Sequence, residues 1–187
     1  LAVHNDIEYK SLNLKINDGN KNVIIASDLV ESFIKENKIE EYKVNFSIKG
    51  HELTNTFCKH TLYDSGYNFE VPILHGDFVT TEQGTGIVHI CPVHGMDDFI
   101  LGKQHDLELP MTINESGIYY DHIPVFNGQH IFKVDQNVCD EIKKNNNLIS
   151  QGILVHSYPH SWRSKAPLVY KNTCLLYTSD AADELLG

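Results

Sequence analysis

The sequence predicts a β-rich mixed α+β domain, a small barrel-like core decorated with about three helices. Short runs that alternate apolar and polar residues recur between Gly, Pro, Asp and Asn punctuation, which is the pattern of many brief strands joined by close turns. Three other segments space their apolar residues as one face of a helix does. At 187 residues the chain is long enough to bury one ordinary core without staples, and 41% hydrophobic with 21% charged residues fits a soluble globular protein.

The elements follow in order. Apolar and polar residues alternate through Tyr9, Leu12, Leu14 and Ile16, so the chain opens in strands, and Asp18-Gly19-Asn20 is a turn signal. KNVIIAS is another strand. A helix is expected over 28–37, with Leu29, Val30, Phe33 and Ile34 on one face, Ser27 or Asp28 as its cap and Glu31 available to close a capping box. Residues 42–49 alternate again up to Gly50. From His51 a second strand pair is expected, then a turn at Asp64-Ser65-Gly66, then three short extended pieces separated by Pro72, Gly76 and Gly84. Ile87–Ile90 reads as a strand and 97–105 as a helix. The strand pattern continues through PMTINESGIYY and HIPVF. A third helix spans 135–145 with Val134, Val138 and Ile142 facing inward, and LISQGILVH, 148–156, is a last short strand.

Composition narrows the function. No run approaches the ~20 apolar residues of a membrane span, and no charged-then-apolar leader opens the chain, so a cytoplasmic protein without membrane contact is expected. Cys58, Cys91, Cys139 and Cys174 are scattered without a C-x-x-C pair, which signals neither a zinc knuckle nor a disulfide framework. The net charge is −10 and Arg163 is the only arginine, which excludes a broad basic face and leaves room only for a small nucleic-acid contact.

Chemistry concentrates in Thr80–His105, TTEQGTGIVHICPVHGMDDFILGKQH. Gly84 and Gly86 flank Thr85, so the backbone there can turn sharply or lie against a ligand. A strand, loop, helix layout brings His89 near Asp98 at a helix start, where free N–H groups favour negative charge and a carboxylate can hold a cation. Plainer readings stand beside this one. Asp97 or Asp98 is equally suited to be a helix cap, and His89 to be a hydrogen-bonded structural group. His89, His94, Asp97 and Asp98 could hold zinc, although their spacing matches no zinc signature.

The residues GTGIVHICPVHGMDDF, preceded by GDFVTTEQ, resemble the editing domain inserted into bacterial-type isoleucyl-tRNA synthetases, and HSYPHSWRSKAPLVY resembles the segment that returns from that insertion to the synthetic domain. Two motifs in the same order, with histidine at position 89 rather than the residues typical of the valyl and leucyl relatives, make the resemblance specific. It covers about residues 1–173, as an editing domain over 1–156 and a return segment over 157–173. Residues 174–187, ending CLLYTSDAADELLG, resemble a vector-derived tail.

The resemblance implies that Asp98 binds the α-ammonium of a misattached amino acid, that His89 limits the pocket's size, and that Gly84, Thr85, Gly86, His94 and Asp97 contribute to substrate binding. It implies hydrolysis of valyl-tRNA carrying the isoleucine anticodon, with the tRNA acceptor end and the rest of the synthetase as partners. Editing would need no metal or cofactor, whereas the parent's synthetic domain would use ATP and Mg. The family's threonine-rich strand would precede Leu1, so the chain taken alone is expected to be an impaired deacylase. The alternative is a catalytically incomplete insert that binds the acceptor end or packs on its parent.

Overall fold

The computed structural model describes residues 1–16, 19–153, 155 and 157–169. They form two compact units: Leu1–Ile90 with Thr112–His156, and Cys91–Met111 with Ser157–Gly187 as far as described.

The first unit is built on a three-stranded antiparallel sheet of β2 (Glu8–Ile16), β3 (Gly19–Ala26) and β4 (Glu41–Lys49), with β2 in the middle. Pairing of β2 with β3 runs from Tyr9↔Ala26 to Ile16↔Gly19. Gly19 and Asn20 are therefore already strand residues rather than the expected turn, and Asp18 lies outside the described residues. Against β4 the register shifts between Ser11 and Leu12, which pair with Phe46 and Val44 and leave Asn45 as a bulge. The Asn45 amide donates to Ser11 Oγ at 3.3 Å and so satisfies a buried hydroxyl. Tyr9, Leu12, Leu14, Ile25 and Ala26 of the sheet are buried in one cluster with Leu29 and Val30.

Those last two residues introduce α1 (Val30–Glu36), which follows a 3-10 turn at Ser27–Leu29, with Phe33 and Ile34 packed on the same core. The helix sits where its spacing placed it. Its cap does not: no side chain caps either the turn or the helix, and the Ser27 hydroxyl is buried without a partner among the described residues.

Residues beyond β4 depart further from expectation. His51 lies in a short helix, α2 (Gly50–Leu53), whose first residue comes so close to the His4 carbonyl that a Cβ there would meet its oxygen at 1.9 Å. The second strand pair is β5 (Phe57–Lys59) with β6 (Glu70–Pro72), antiparallel. Between them a 3-10 turn at Tyr63–Ser65 ends on Gly66 at φ 106°, which agrees with the expected turn. β7 (Leu74–His75) pairs in parallel with β1 (Ala2–Val3).

Ile87–Ile90 is not a strand; Val88 alone bridges Ala2. PMTINESGIYY likewise gives only isolated bridges, Ile113↔Tyr119 and Ile118↔His130, and HIPVF forms no strand among the described residues. The described part of 148–156 holds no strand, and Ile153 and Val155 are 97% and 92% exposed. Alternation marks chain that could present one apolar face, but a strand forms only where a partner edge supplies the hydrogen bonds. The sheets, of three, two and two strands, do not close into a barrel among the described residues. The mixed class and the helices stand; the core is a set of open sheets. A second cluster joins Leu62, Phe126 and Val134 to Val138 and Ile142 of α4 (Asp135–Lys144), the inward residues read from the sequence.

The second unit contains α3 (Met96–Gln104), one residue off its expected span. Buried Gly102 lets Pro92 pack on the helix, since a Cβ there would lie 2.8 Å from Pro92 Cβ. Residues 157–169 form an irregular arm folded on itself by Ser161 N–H to Ala166 O at 2.8 Å and a bridge between His160 and Pro167. Residues 170–173 and the expected tail lie outside the described residues.

Candidate functional site

The glycine-flanked threonine is held by the main sheet of the first unit. Ala26 N–H donates to the Thr85 carbonyl at 2.9 Å, and the buried Tyr9 hydroxyl donates to the Gly86 carbonyl at 2.8 Å. Thr85 Oγ1 accepts the Ile87 N–H at 3.4 Å, and Ala2 and Val88 exchange two backbone hydrogen bonds at 2.8 and 2.9 Å. Gly84 and Gly86 have φ of 76° and 70°. The two differ in what surrounds them, since a Cβ on Gly86 would lie 2.5 Å from Ala26 Cβ while one on Gly84 would meet nothing within 4 Å. Gly84 serves the turn; Gly86 serves both the turn and the close approach to β3.

His89 follows this loop and is exposed. Within the first unit, desolvation pushes His60 below the usual imidazole range, and the charge of His89 acts in the same direction. Sequence spacing could not have linked these histidines, one just after β5 and the other in the loop that follows Gly86.

In the second unit Asp98 is the third residue of α3. Neither Asp97 nor Asp98 is the helix cap: Gly95 holds that position in extended conformation at φ −132°, and no side chain caps. Asp98 instead turns back, its Oδ2 accepting the Cys91 N–H at 3.0 Å. Gly95 makes room for it, because a Cβ there would lie 2.8 Å from that oxygen. Burial raises the Cys91 thiol above its ordinary value, a Val93 backbone hydrogen bond opposes this, and the Asp98 charge adds to the rise. His94 is half-buried in the turn after Cys91, its N–H on the Cys91 carbonyl at 2.9 Å. Asp97 is exposed.

The candidate residues thus divide between the units, with Gly84, Thr85, Gly86 and His89 in the first and His94, Asp97 and Asp98 in the second. Sequence reasoning missed Tyr9, Ala26 and the Cys91 amide, all of which act on the candidates through the backbone. The one usable signal was Tyr9, a hydroxyl among inward-facing apolar residues, which implies a buried partner. Among the described residues no three His, Cys, Asp or Glu side chains gather so as to hold a metal ion, and no helix is long and apolar enough to cross a membrane.

No protein-family model matches the chain. It is 46% identical over 154 residues to an isoleucine–tRNA ligase of Pelagibacter ubique, a match covering 82% of this chain and 17% of that protein. It is 36% identical over 192 residues to the isoleucine–tRNA ligase of Gluconobacter oxydans, covering 92% and 20%. With the Saccharophagus degradans ligase it shares 35% identity over 186 residues, covering 100% and 19%. The chain therefore spans about a fifth of the length of the curated relatives it matches. Among solved structures it is similar to GlLeuRS-CP1, with a TM-score of 0.59 at 16% identity over 85% of this chain and 78% of that one.

Proposed function

The chain belongs to the isoleucine–tRNA ligase family, and from that premise we propose that it is the proofreading part of such a ligase, hydrolysing the ester of valine wrongly attached to the isoleucine tRNA. The observation that carries this reading is that a chain a fifth as long as the ligases shares the fold of the CP1 region of a LeuRS. The parent would charge tRNA with isoleucine using ATP and Mg, and residues 157–173 would lead back towards its synthetic domain.

Such a step has a physical reason to exist. One methylene separates valine from isoleucine and is worth only about 1–3 kcal/mol in a binding pocket, a limit for which this pair of amino acids is the usual illustration. A second, smaller pocket that admits valine and excludes isoleucine removes the error. In this reading the Asp98 carboxylate, held in place by the Cys91 N–H, pairs with the α-ammonium. In the first unit Gly84, Thr85 and Gly86 are the candidates for substrate contact and the His89 ring for limiting its size, and in the second His94 and Asp97 are the candidates beside Asp98. The ester is already activated, so the protein needs chiefly to position it beside a water.

The competing reading, an insert that packs on its parent without catalysing, draws on the edge strand β4, whose Tyr42, Val44 and Phe46 are 38%, 43% and 54% exposed. A deacylation assay of the intact ligase with valyl-tRNA and isoleucyl-tRNA decides between them. Selective loss of valine is expected, and His89→Ala is expected to extend hydrolysis to isoleucyl-tRNA. No deacylation of either, with charging intact, would leave the packing role.

A further inference from the structure

Around the β5–β6 hairpin lies a cavity of about 420 Å³ lined by Lys59, His60, Thr61, Tyr63, Asp64 and Asn147, all of the first unit and none of them a candidate named above. Its surroundings are aromatic. The His60 ring stacks on Tyr67 at 4.8 Å and 22°, and lies 5.0 Å from Phe69, its neighbour across the hairpin. Lys59 sits over the Tyr63 ring at 4.8 Å, and Phe57 and Phe69 on the same hairpin are 63% and 52% exposed. His60 Nδ1 accepts the Leu62 N–H at 3.1 Å and Asn147 donates to the Thr61 carbonyl at 2.7 Å, so the cavity wall is fixed before any ligand arrives.

We propose that this cavity holds one unpaired nucleobase of a single-stranded RNA end, stacked against the His60 ring, with Lys59 beside its phosphate. Flat aromatic faces bind any base by stacking, and one cation beside them supplies a backbone contact. A hydrogen-bonding edge is also present, because the Asp64 carboxylate can accept from an exocyclic amine and the Asn147 amide carries both donor and acceptor groups. Burial lowers the proton affinity of His60, which favours the uncharged ring. A chain of net charge −10 with one arginine cannot grip an RNA backbone over a wide face, which fits a contact of one base. The proposal rests on the proofreading reading for the identity of the RNA, a tRNA acceptor end, but the cavity stands independently of the ester chemistry.

The test follows the His60 and Tyr63 ring resonances of the 187-residue chain by NMR during titration with adenosine monophosphate, with ribose 5-phosphate, and with a short oligoribonucleotide either single-stranded or in a duplex. Saturable ring shifts are expected with the single strand and, more weakly, with the mononucleotide. His60→Ala should weaken single-strand binding roughly tenfold. His60→Phe should retain most of it, which separates stacking from misfolding, and Lys59→Gln should lower the salt dependence by a slope of about 0.7. Equal shifts with ribose 5-phosphate, preference for the duplex, or undiminished binding by a folded His60→Ala protein would overturn the proposal. Valyl-tRNA deacylation by the intact ligase is measured in parallel. Base binding without deacylation sinks the proofreading reading alone, whereas unchanged deacylation with no base binding sinks the cavity alone.

Discussion

Asp98 accepts the Cys91 N–H through Oδ2 at 3.0 Å, which separates its charge from its role as an acceptor. Asp98→Asn keeps an oxygen acceptor and removes the charge. In the intact ligase this variant is expected to lose valyl-tRNA deacylation on the order of a hundredfold while melting normally, with Asp97→Ala close to unchanged. Full activity in the asparagine variant would remove the ammonium-anchor role. The glycines of the loop make a second contrast. Gly86→Ala combines a left-handed backbone cost of about 1–2 kcal/mol with crowding of about 1–3 kcal/mol against Ala26, while Gly84→Ala carries only the first, and urea denaturation should rank them so. Tyr67 supplies a pH dependence. Burial, then the Tyr119 charge, raises its phenol from 10.0 to about 12. The folded state therefore favours the neutral phenol: this contribution to stability is complete below pH 10 and is lost as pH rises through about 12. A Tyr67→Phe protein should show less alkaline destabilisation over that window, although it forgoes the hydrogen bond to the Pro124 carbonyl at 3.0 Å.

At the scale of elements, helices were legible and strands only partly so. The spans 28–37, 97–105 and 135–145 emerged as a turn with α1, as α3 and as α4, because a helix makes its backbone hydrogen bonds within one segment and its apolar spacing is a local property. The strands of 8–16 and 19–26 were legible because they form a hairpin and pair with each other. Ile87–Ile90 and 148–156 also read as strands, yet neither makes a strand in the described residues. Caps were also misread, since an Asp or Ser before a helix caps only if the entering chain leaves its side chain free to turn back. Asp28→Ala should accordingly cost well under the ~1 kcal/mol typical of a lost cap, measured as a shift in the thermal midpoint.

For the whole molecule, a net charge of −10 limits how the proposed contact with RNA can be made. Whatever contact the chain makes with tRNA has little counterion release to draw on, so the isolated chain should bind deacylated tRNA far more weakly than the intact ligase and with a shallow salt dependence. Equilibrium binding at two or more salt concentrations measures both. A steep dependence for the chain alone would point to a basic surface that the composition does not suggest.

The sequence by itself determined the family resemblance, the three helices and the stretch from Thr80 to His105, since motif order and helical spacing need no knowledge of distant partners. Tertiary structure alone decided that Tyr9 and Ala26 hold the GTG loop, that Gly86 rather than Gly84 is sterically confined, that Asp98 bonds Cys91 instead of capping α3, and that the sheets stay open. Each of these depends on which backbone edge or amide arrives from elsewhere in the chain. A hydrogen bond between residues 77 positions apart, such as Tyr9 to Gly86, leaves no trace in the spacing of either segment.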